Sequence, residues 1–222
     1  MGRQANPGGA LDAIDAVMVL ERCIERHTGA RTIQCAGTLT DHRDDAAPSP
    51  RRLEILLERP DRCRIELDRD VTIVQGRAIW TYDSLRDRFG NYRAFTTTPA
   101  RTAGEIATGG VSLLPIDLFE RGARALGSGD RGPGAWRLRE MDFCGGRPCY
   151  VVDSIPAGGR GRLALWIDQD EFVLRRWRLY SGGGARTEQA ILTVTFDRVA
   201  LDAPLDSSSF LLRRTTAGER RR

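Results

Sequence analysis

The sequence predicts a mainly β protein of the α+β type, in which one helix precedes a strongly curved antiparallel sheet. Two observations predict this fold. Apolar residues alternate with charged ones in residues 53–67 and 71–83, and tight turns separate the segments, which is typical of a strand meander. A similar rhythm returns in residues 136–196, between glycine-rich turns. A sheet of roughly ten strands tends to curl, so we expect a helix to lie across its concave face.

The N-terminal helix is predicted over residues 10–28. Its apolar residues recur at helical spacing, charged residues occupy the other positions, and Gly29 follows as a stop signal. His27 is near the end of this helix, where we expect a cation that complements the helix dipole. A first strand follows, with Ile33 and Cys35 in phase.

A second helical region interrupts the strands in residues 99–127. It holds the most apolar cluster of the chain: Leu113, Leu114, Ile116, Leu118, Phe119, Ala123 and Leu126. Gly109 and Gly110 precede the cluster and a glycine-rich loop follows it, so we expect one or two short helices with flexible hinges. Two interpretations remain open, a helix that caps the core and a mobile lid. Residue type alone favours the first.

The length of 222 residues is enough for one substantial core, and all-β chains of this size often form one domain. We predict one domain over residues 10–212, a disordered N-terminus over residues 1–9 and a flexible arginine-rich tail over residues 213–222. The first residues lack the apolar region of a secretory signal, so we expect a cytoplasmic protein if the chain is full-length. No stretch approaches the ~18 apolar residues of a membrane helix.

The cysteines show no metal-binding pattern. The chain has five cysteines and two histidines but no C-x-x-C pair, so no metal site is predicted. Cys35 and Cys63 lie on the apolar phase of their strands, where we expect buried thiols. Residues 145–148 resemble a hairpin loop that would place Cys144 and Cys149 opposite each other. In an oxidising compartment these two thiols could form a disulfide.

The charge pattern argues against nucleic-acid binding. All 34 basic residues are arginine, and the net charge is only +4. The arginines alternate with apolar residues along the strands, which indicates solvated faces. A nucleic-acid surface would instead need a clustered basic stripe with aromatic platforms.

Catalytic motifs are not recognisable either. Asp168, Asp170 and Glu171 cluster between two apolar segments, where a β-turn naturally collects acidic residues. The glycine and closing glutamate of a calcium-binding loop are missing there, and no serine lies in a G-x-S-x-G elbow. The sequence therefore predicts a binding protein without a cofactor, not an enzyme.

Large aromatic side chains provide the candidate binding surface. The segment at residues 163–167 is apolar on both phases, so either both of its faces are covered or one of them lines an apolar pocket. A position in the core explains each of the large aromatic residues when it is taken singly. They are Trp80, Tyr82, Trp136, Trp166 and Trp177. Together with the apolar cap, these residues favour a site for an acyl chain.

Three segments carry a resemblance to a known family. They are the Arg59-Pro60 turn, the stretch T-I-V-Q-G-R-A-I-W-T-Y over residues 72–82, and the ending A-P-L-D-S-S-S-F over residues 203–210. Together with the order of the predicted elements, they make residues 10–212 similar to the LolA/LolB-like superfamily of bacterial envelope lipoprotein carriers, which includes RseB-type sensor domains.

The resemblance implies a half-open barrel of about eleven antiparallel strands in the periplasm or cell envelope, with helices that cover a hydrophobic cavity. Arg59 matches the arginine that holds the carriers' lid shut, and the lid corresponds to residues 113–119. The implied function is a carrier that holds the acyl chains of a lipid or lipoprotein without catalysis. The alternative is an RseB-like sensing module that binds lipid or lipoprotein and signals to an envelope protein partner.

Overall fold

The fold is taken from a computed structural model that describes residues 15–43, 48–93, 98–110, 113–121, 136–154, 162–181 and 189–212. Its helices are α1 (Ala16–Gly29), α2 (Pro99–Thr108) and α3 (Leu114–Arg121). Its strands are β1 (Thr32–Asp41), β2 (Arg51–Glu58), β3 (Arg62–Leu67), β4 (Asp70–Gln75), β5 (Ala78–Asp83), β6 (Arg88–Arg93), β7 (Trp136–Cys144), β8 (Arg147–Ser154), β9 (Leu163–Asp168), β10 (Leu174–Tyr180) and β11 (Ala190–Leu201). The predicted termini at residues 1–9 and 213–222, and the apolar residues Ala123 and Leu126, lie outside the described residues.

All the strands of the described part belong to one 11-stranded sheet in the order β6-β5-β4-β3-β2-β1-β11-β10-β9-β8-β7. Each strand pairs antiparallel with its neighbour. The sheet does not close, because β6 and β7 lie at opposite edges. This arrangement confirms the predicted mainly β fold and its half-open barrel.

Strand alternation decides which side chains enter the core. Ile55 of β2 pairs with Cys35 of β1 and Ile65 of β3, and all three are buried in the main hydrophobic core. Glu54 and Glu66, the residues next to them along the chain, pair with each other and point to the opposite side. We call the side that carries Ile55 the inner face and the other side the outer face.

The helices cover the inner face. Helix α2 contacts β3, β4 and β5, whereas α1 contacts β7 and β8, and α3 contacts both α1 and α2. The prediction of one or two short helices between residues 99 and 127 is confirmed, with two helices at residues 99–108 and 114–121. No helix in the described ranges is long and apolar enough to cross a membrane.

His27 lies on the side of α1 that packs into the core. The helix begins after Asp15, whose side chain accepts a hydrogen bond of 3.0 Å from the backbone N–H of Val17, a standard N-cap. His27 is buried, its Nδ1 donates to the backbone carbonyl of Cys23 at 2.8 Å, and burial lowers its pKa. The prediction of a cation at the helix end is wrong, because an apolar environment disfavours the charged imidazole.

The cysteine predictions have mixed outcomes. Cys35 and Cys63 are buried free thiols as predicted, and burial raises the pKa of Cys35 to about 12. Cys144 and Cys149 are also buried and free, and the prediction that they lie opposite each other is wrong.

The turn of this hairpin explains the error. Gly145 and Gly146 alone form the turn, with φ angles of 58° and 78°, so strand β8 already begins at Arg147. Arg147 is therefore the residue that pairs with Cys144, and Cys149 pairs with Asp142.

Candidate functional site

Arg59 joins three parts of the fold. It follows β2, at the turn that leads into β3. Its Nη2 donates to the backbone carbonyl oxygens of Phe119 at 2.7 Å and Thr28 at 2.8 Å, and its Nε donates to that of Ala30 at 3.0 Å. The guanidinium carbon also lies 4.0 Å from the centre of the Phe119 ring. One side chain therefore ties the β2–β3 turn to the ends of α1 and α3.

The chemistry of helix ends explains why an arginine suits this position. The last carbonyl groups of a helix have no partner within the helix, and cationic donors are favoured beside them. The planar guanidinium offers donors in several fixed directions, so it can serve the ends of two helices at once. Burial lowers the pKa of Arg59, and the nearby Glu120 carboxylate acts in the opposite direction.

The apolar residues predicted for the lid all face inward. Leu113, Leu114, Ile116, Leu118 and Phe119 are buried and belong to the main core. The structure therefore brings these residues together with Arg59. Their side chains occupy the space above the inner face that a bound acyl chain would need.

Helices α2 and α3 pack closely at a glycine. A Cβ added at Gly104 of α2 would lie 3.4 Å from Cδ1 of Ile116 and 3.8 Å from Cβ of Leu113, which is ordinary contact distance. Arg101 Nε of α2 lies 3.7 Å from Oδ1 of the buried Asp117 of α3 and 3.0 Å from Glu105 Oε1. The two helices therefore meet through apolar and ionic contacts.

Glu120 of α3 provides a further contact with α2. The side chain of Thr98 does not cap the N-terminus of α2, and the Glu120 carboxylate of α3 lies near the backbone N–H groups of Ala100 and Arg101 there. Its Oε2 is buried without a hydrogen-bond partner. The pKa of Glu120 is raised to about 7, mainly by burial; Asp117 also acts to raise it, whereas the two N–H groups and the Arg101 charge act to lower it.

A cleft of about 430 Å³ opens where Arg59 meets the lid. The β2–β3 turn, the β4–β5 turn and the adjoining ends of α2 and α3 line it, with Pro60, Arg77, Phe119 and Glu120 among the lining residues. Within the described ranges, no group of three or more histidine, cysteine or acidic residues could hold a metal ion.

Trp80 and Tyr82 do not line the inner face, so this part of the predicted site is wrong. Trp80 pairs with Ile73, whereas its neighbour Ile79 pairs with Val74 in the main core. Trp80 lies in an outer-face groove of about 220 Å³, together with Ile73 and Phe210. Tyr82 has the same strand parity as Trp80, so it also points outward. In β5 the outward phase holds Ala78, Trp80 and Tyr82, whereas Ile79 shares the inward phase with Thr81 and Asp83, so the strand's own pattern indicates the wrong face.

Trp166 also lies on the outer face, against the prediction. Its Nε1 donates to Asp142 Oδ2 at 2.8 Å, and it packs with Cys149 and Val151 in a separate outer cluster. The inner face instead carries Trp177 of β10, which is 3% exposed and belongs to the main core. A signal for Trp177 existed in the sequence, since charged arginines alternate with it along β10.

Comparisons with known proteins place the fold. No protein-family model matches the sequence, and no curated protein matches it. The structure of the Pseudomonas aeruginosa MucA/MucB complex matches at 16% identity and a TM-score of 0.53, over 89% of this chain and 61% of that chain. An uncharacterized conserved protein from Thermus thermophilus matches at 10% identity and a TM-score of 0.54, over 91% and 96%. A LolA superfamily protein from Nitrosomonas europaea also matches, at 12% identity and a TM-score of 0.37, over 90% and 98%.

The identities and TM-scores of these matches limit the comparison to the fold. At such low identity the matches with TM-scores above 0.5 show a shared fold. This chain spans 61% of the chain that it matches in the MucA/MucB complex. The half-open, mainly β fold that the resemblance implied is therefore shared with these two structures.

Proposed function

We propose that this protein is a non-catalytic carrier of the bacterial envelope that holds the acyl chains of a lipid or lipoprotein between the inner face of its sheet and the α2–α3 lid. The observation that carries this proposal is the position of Arg59. Its side chain bonds to the carbonyl oxygen of Phe119 at the lid and to the end of α1, while the apolar side chains of the lid fill the inner face. A lid held by a few polar bonds over an apolar surface can open without unfolding the sheet.

The energetics favour reversible exchange. Burial of a side chain such as Leu113, Ile116 or Leu118 is worth about 1.5–3 kcal/mol, and each methylene of an acyl chain gains about 0.8 kcal/mol in the same environment. A chain of roughly ten methylenes therefore compensates for the three side chains that it displaces. Arg59 then decides how readily the exchange begins.

A second candidate function is a sensing module that binds lipid or lipoprotein and signals to an envelope protein partner. The edge strands favour it. Phe89 and Tyr92 of β6 and Met141 and Phe143 of β7 are each at least half exposed, and an unpaired sheet edge can accept a strand from another protein. The matched MucB structure was also determined as a complex, with MucA.

The test compares Arg59→Leu with the wild type. Each purified protein is loaded with a triacylated lipopeptide, and release to an excess of empty wild-type protein labelled with ¹⁵N, which differs in mass from the donor, is followed by native mass spectrometry. We expect the variant to stay folded and to exchange its lipopeptide at a changed rate. Arg62→Leu is the matched control, since Arg62 lies at the same turn but forms an ion pair with Glu58 of β2.

Three outcomes separate the proposals. Uptake of lipopeptide with a changed rate only in Arg59→Leu supports a carrier with an arginine latch. Equal rates in all three proteins contradict the latch. Failure of the wild type to take up lipopeptide, together with recovery of a stable protein complex from cell envelopes, favours the sensing module.

A further inference from the structure

A polar group on the inner face lacks a hydrogen-bond partner. Nε1 of Trp177 is buried without one, and the whole side chain is 3% exposed. The N–H of an indole normally finds an acceptor when it is buried. A buried donor without an acceptor is unfavourable, and an acceptor that reaches it restores the lost interaction.

The register explains why Trp177 has no acceptor. It pairs with Leu165 of β9 and Val194 of β11. Beyond these residues, Leu165 pairs with Val152 of β8, and Val194 pairs with Leu39 of β1. This row across the inner face presents only hydrocarbon side chains to the indole ring.

Trp166 on the outer face provides a comparison within the same sheet. Its Nε1 donates to Asp142 Oδ2 at 2.8 Å, so a carboxylate completes the indole there. Both rings are mostly buried, and they differ in whether an acceptor is present. The inner face therefore holds a buried donor, in an apolar environment, that has no acceptor in the described part of the chain.

We propose that Nε1 of Trp177 donates a hydrogen bond to the carbonyl oxygen of an ester- or amide-linked acyl chain bound on the inner face. This inference rests on the proposed function, because a chain must enter the inner face before the two groups can meet. The apolar side chains in the row across the inner face contact the methylene groups of the acyl chain. The hydrogen bond to the indole then sets how far the acyl chain enters the core. The site thereby selects fatty acyl esters and amides over alkyl ethers of the same length.

The experiment compares two probes, palmitoyl lysophosphatidylcholine and its hexadecyl ether analogue, by calorimetric titration of the full chain. A net hydrogen bond corresponds to about three- to tenfold in affinity. We expect the wild type to bind the ester more tightly by this factor. Trp177→Phe keeps an aromatic ring without the donor, so it should bind both probes alike, and Trp166→Phe is the matched control that should keep the preference.

The outcomes are distinguishable. Equal affinity of the wild type for both probes, or an ester preference that survives in Trp177→Phe, overturns the inference and leaves the carrier proposal intact. Absence of binding for both probes overturns both proposals. If Trp177→Phe does not fold, the indole ¹H–¹⁵N signals of the wild type decide. The signal of Trp177 is the one that is retained in each of Trp80→Phe, Trp136→Phe and Trp166→Phe, since the chain has four tryptophans. It should move downfield with the ester and stay in place with the ether, and an unmoved signal overturns the inference.

Discussion

Glu120→Gln should stabilise the folded protein at pH 8 and leave its stability nearly unchanged at pH 5. In the folded protein burial raises the pKa of Glu120 from 4.5 to about 7, so the folded state binds this proton more tightly than the unfolded state. The stability that the neutral carboxyl contributes is fully present below about pH 4.5 and is lost as the pH rises through 7. Glutamine is neutral at every pH and avoids that loss.

The structure sets the size of the effect. Each pKa unit corresponds to about 1.4 kcal/mol, so the shift of Glu120 amounts to about 3 kcal/mol if the site were fully shielded. Glu120 is only partly buried, and solvent screening reduces this to about 1–2 kcal/mol. For a chain of this size we expect Glu120→Gln to melt about 2–8 °C higher than the wild type at pH 8.

The assay is thermal unfolding of both proteins, followed by circular dichroism at pH 5, 6.5 and 8. The difference between variant and wild type at each pH is the quantity to compare, because it cancels the contribution of His27. Burial lowers the pKa of His27, so its contribution to stability is lost as the pH falls, in the opposite direction. Glu105→Gln on the exposed side of α2 is the control. A difference for Glu120→Gln that is constant across the pH range, or a lower melting temperature at pH 8, would refute the reasoning.

Two further predictions concern the sheet. Gly37→Ala should destabilise the protein by about 2–4 kcal/mol in urea unfolding, since the added Cβ would lie 1.9 Å from the carbonyl oxygen of Thr195. Gly29→Ala, with open space around its Cβ, should change stability by less than about 1 kcal/mol, and equal effects of the two substitutions would contradict the packing argument. Trp80→Ala should leave lipopeptide uptake unchanged in native mass spectrometry, because this side chain packs near Phe210 on the outer face. Loss of uptake by a folded Trp80→Ala protein would show that the outer groove takes part in binding.

The strands could be predicted because alternation is a local property. Ile55 and Ile65 lie in phase within their own segments, and the turn at Arg59-Pro60 is marked by its residue types. The lid helices were also predictable as apolar segments between glycines. The contact between Arg59 and the lid could be predicted only from the family resemblance, because no local sequence pattern connects residues 59 and 119.

Glu120 and His27 show where local patterns mislead or are silent. Glu120 is an ordinary acidic residue in the sequence. It lies beside α2 because folding places it at the N-terminus of that helix. His27 follows the usual pattern of a basic residue in the last helical turn, yet it lies on the side of α1 that packs into the core. Both outcomes depend on the surface against which a helix packs.

Periodicity and turn residues are enough to predict an antiparallel, mainly β fold with an N-terminal helix, an apolar cap and a turn at Arg59. Which face of each strand is covered depends on contacts between distant parts of the chain. Trp80 and Trp166 point outward and Trp177 points inward, and of their three strands β10 alone marks its inner face, by an arginine on each side of Trp177. The strand period of two defines two faces, and the helices that pack on one of them make it the inner face.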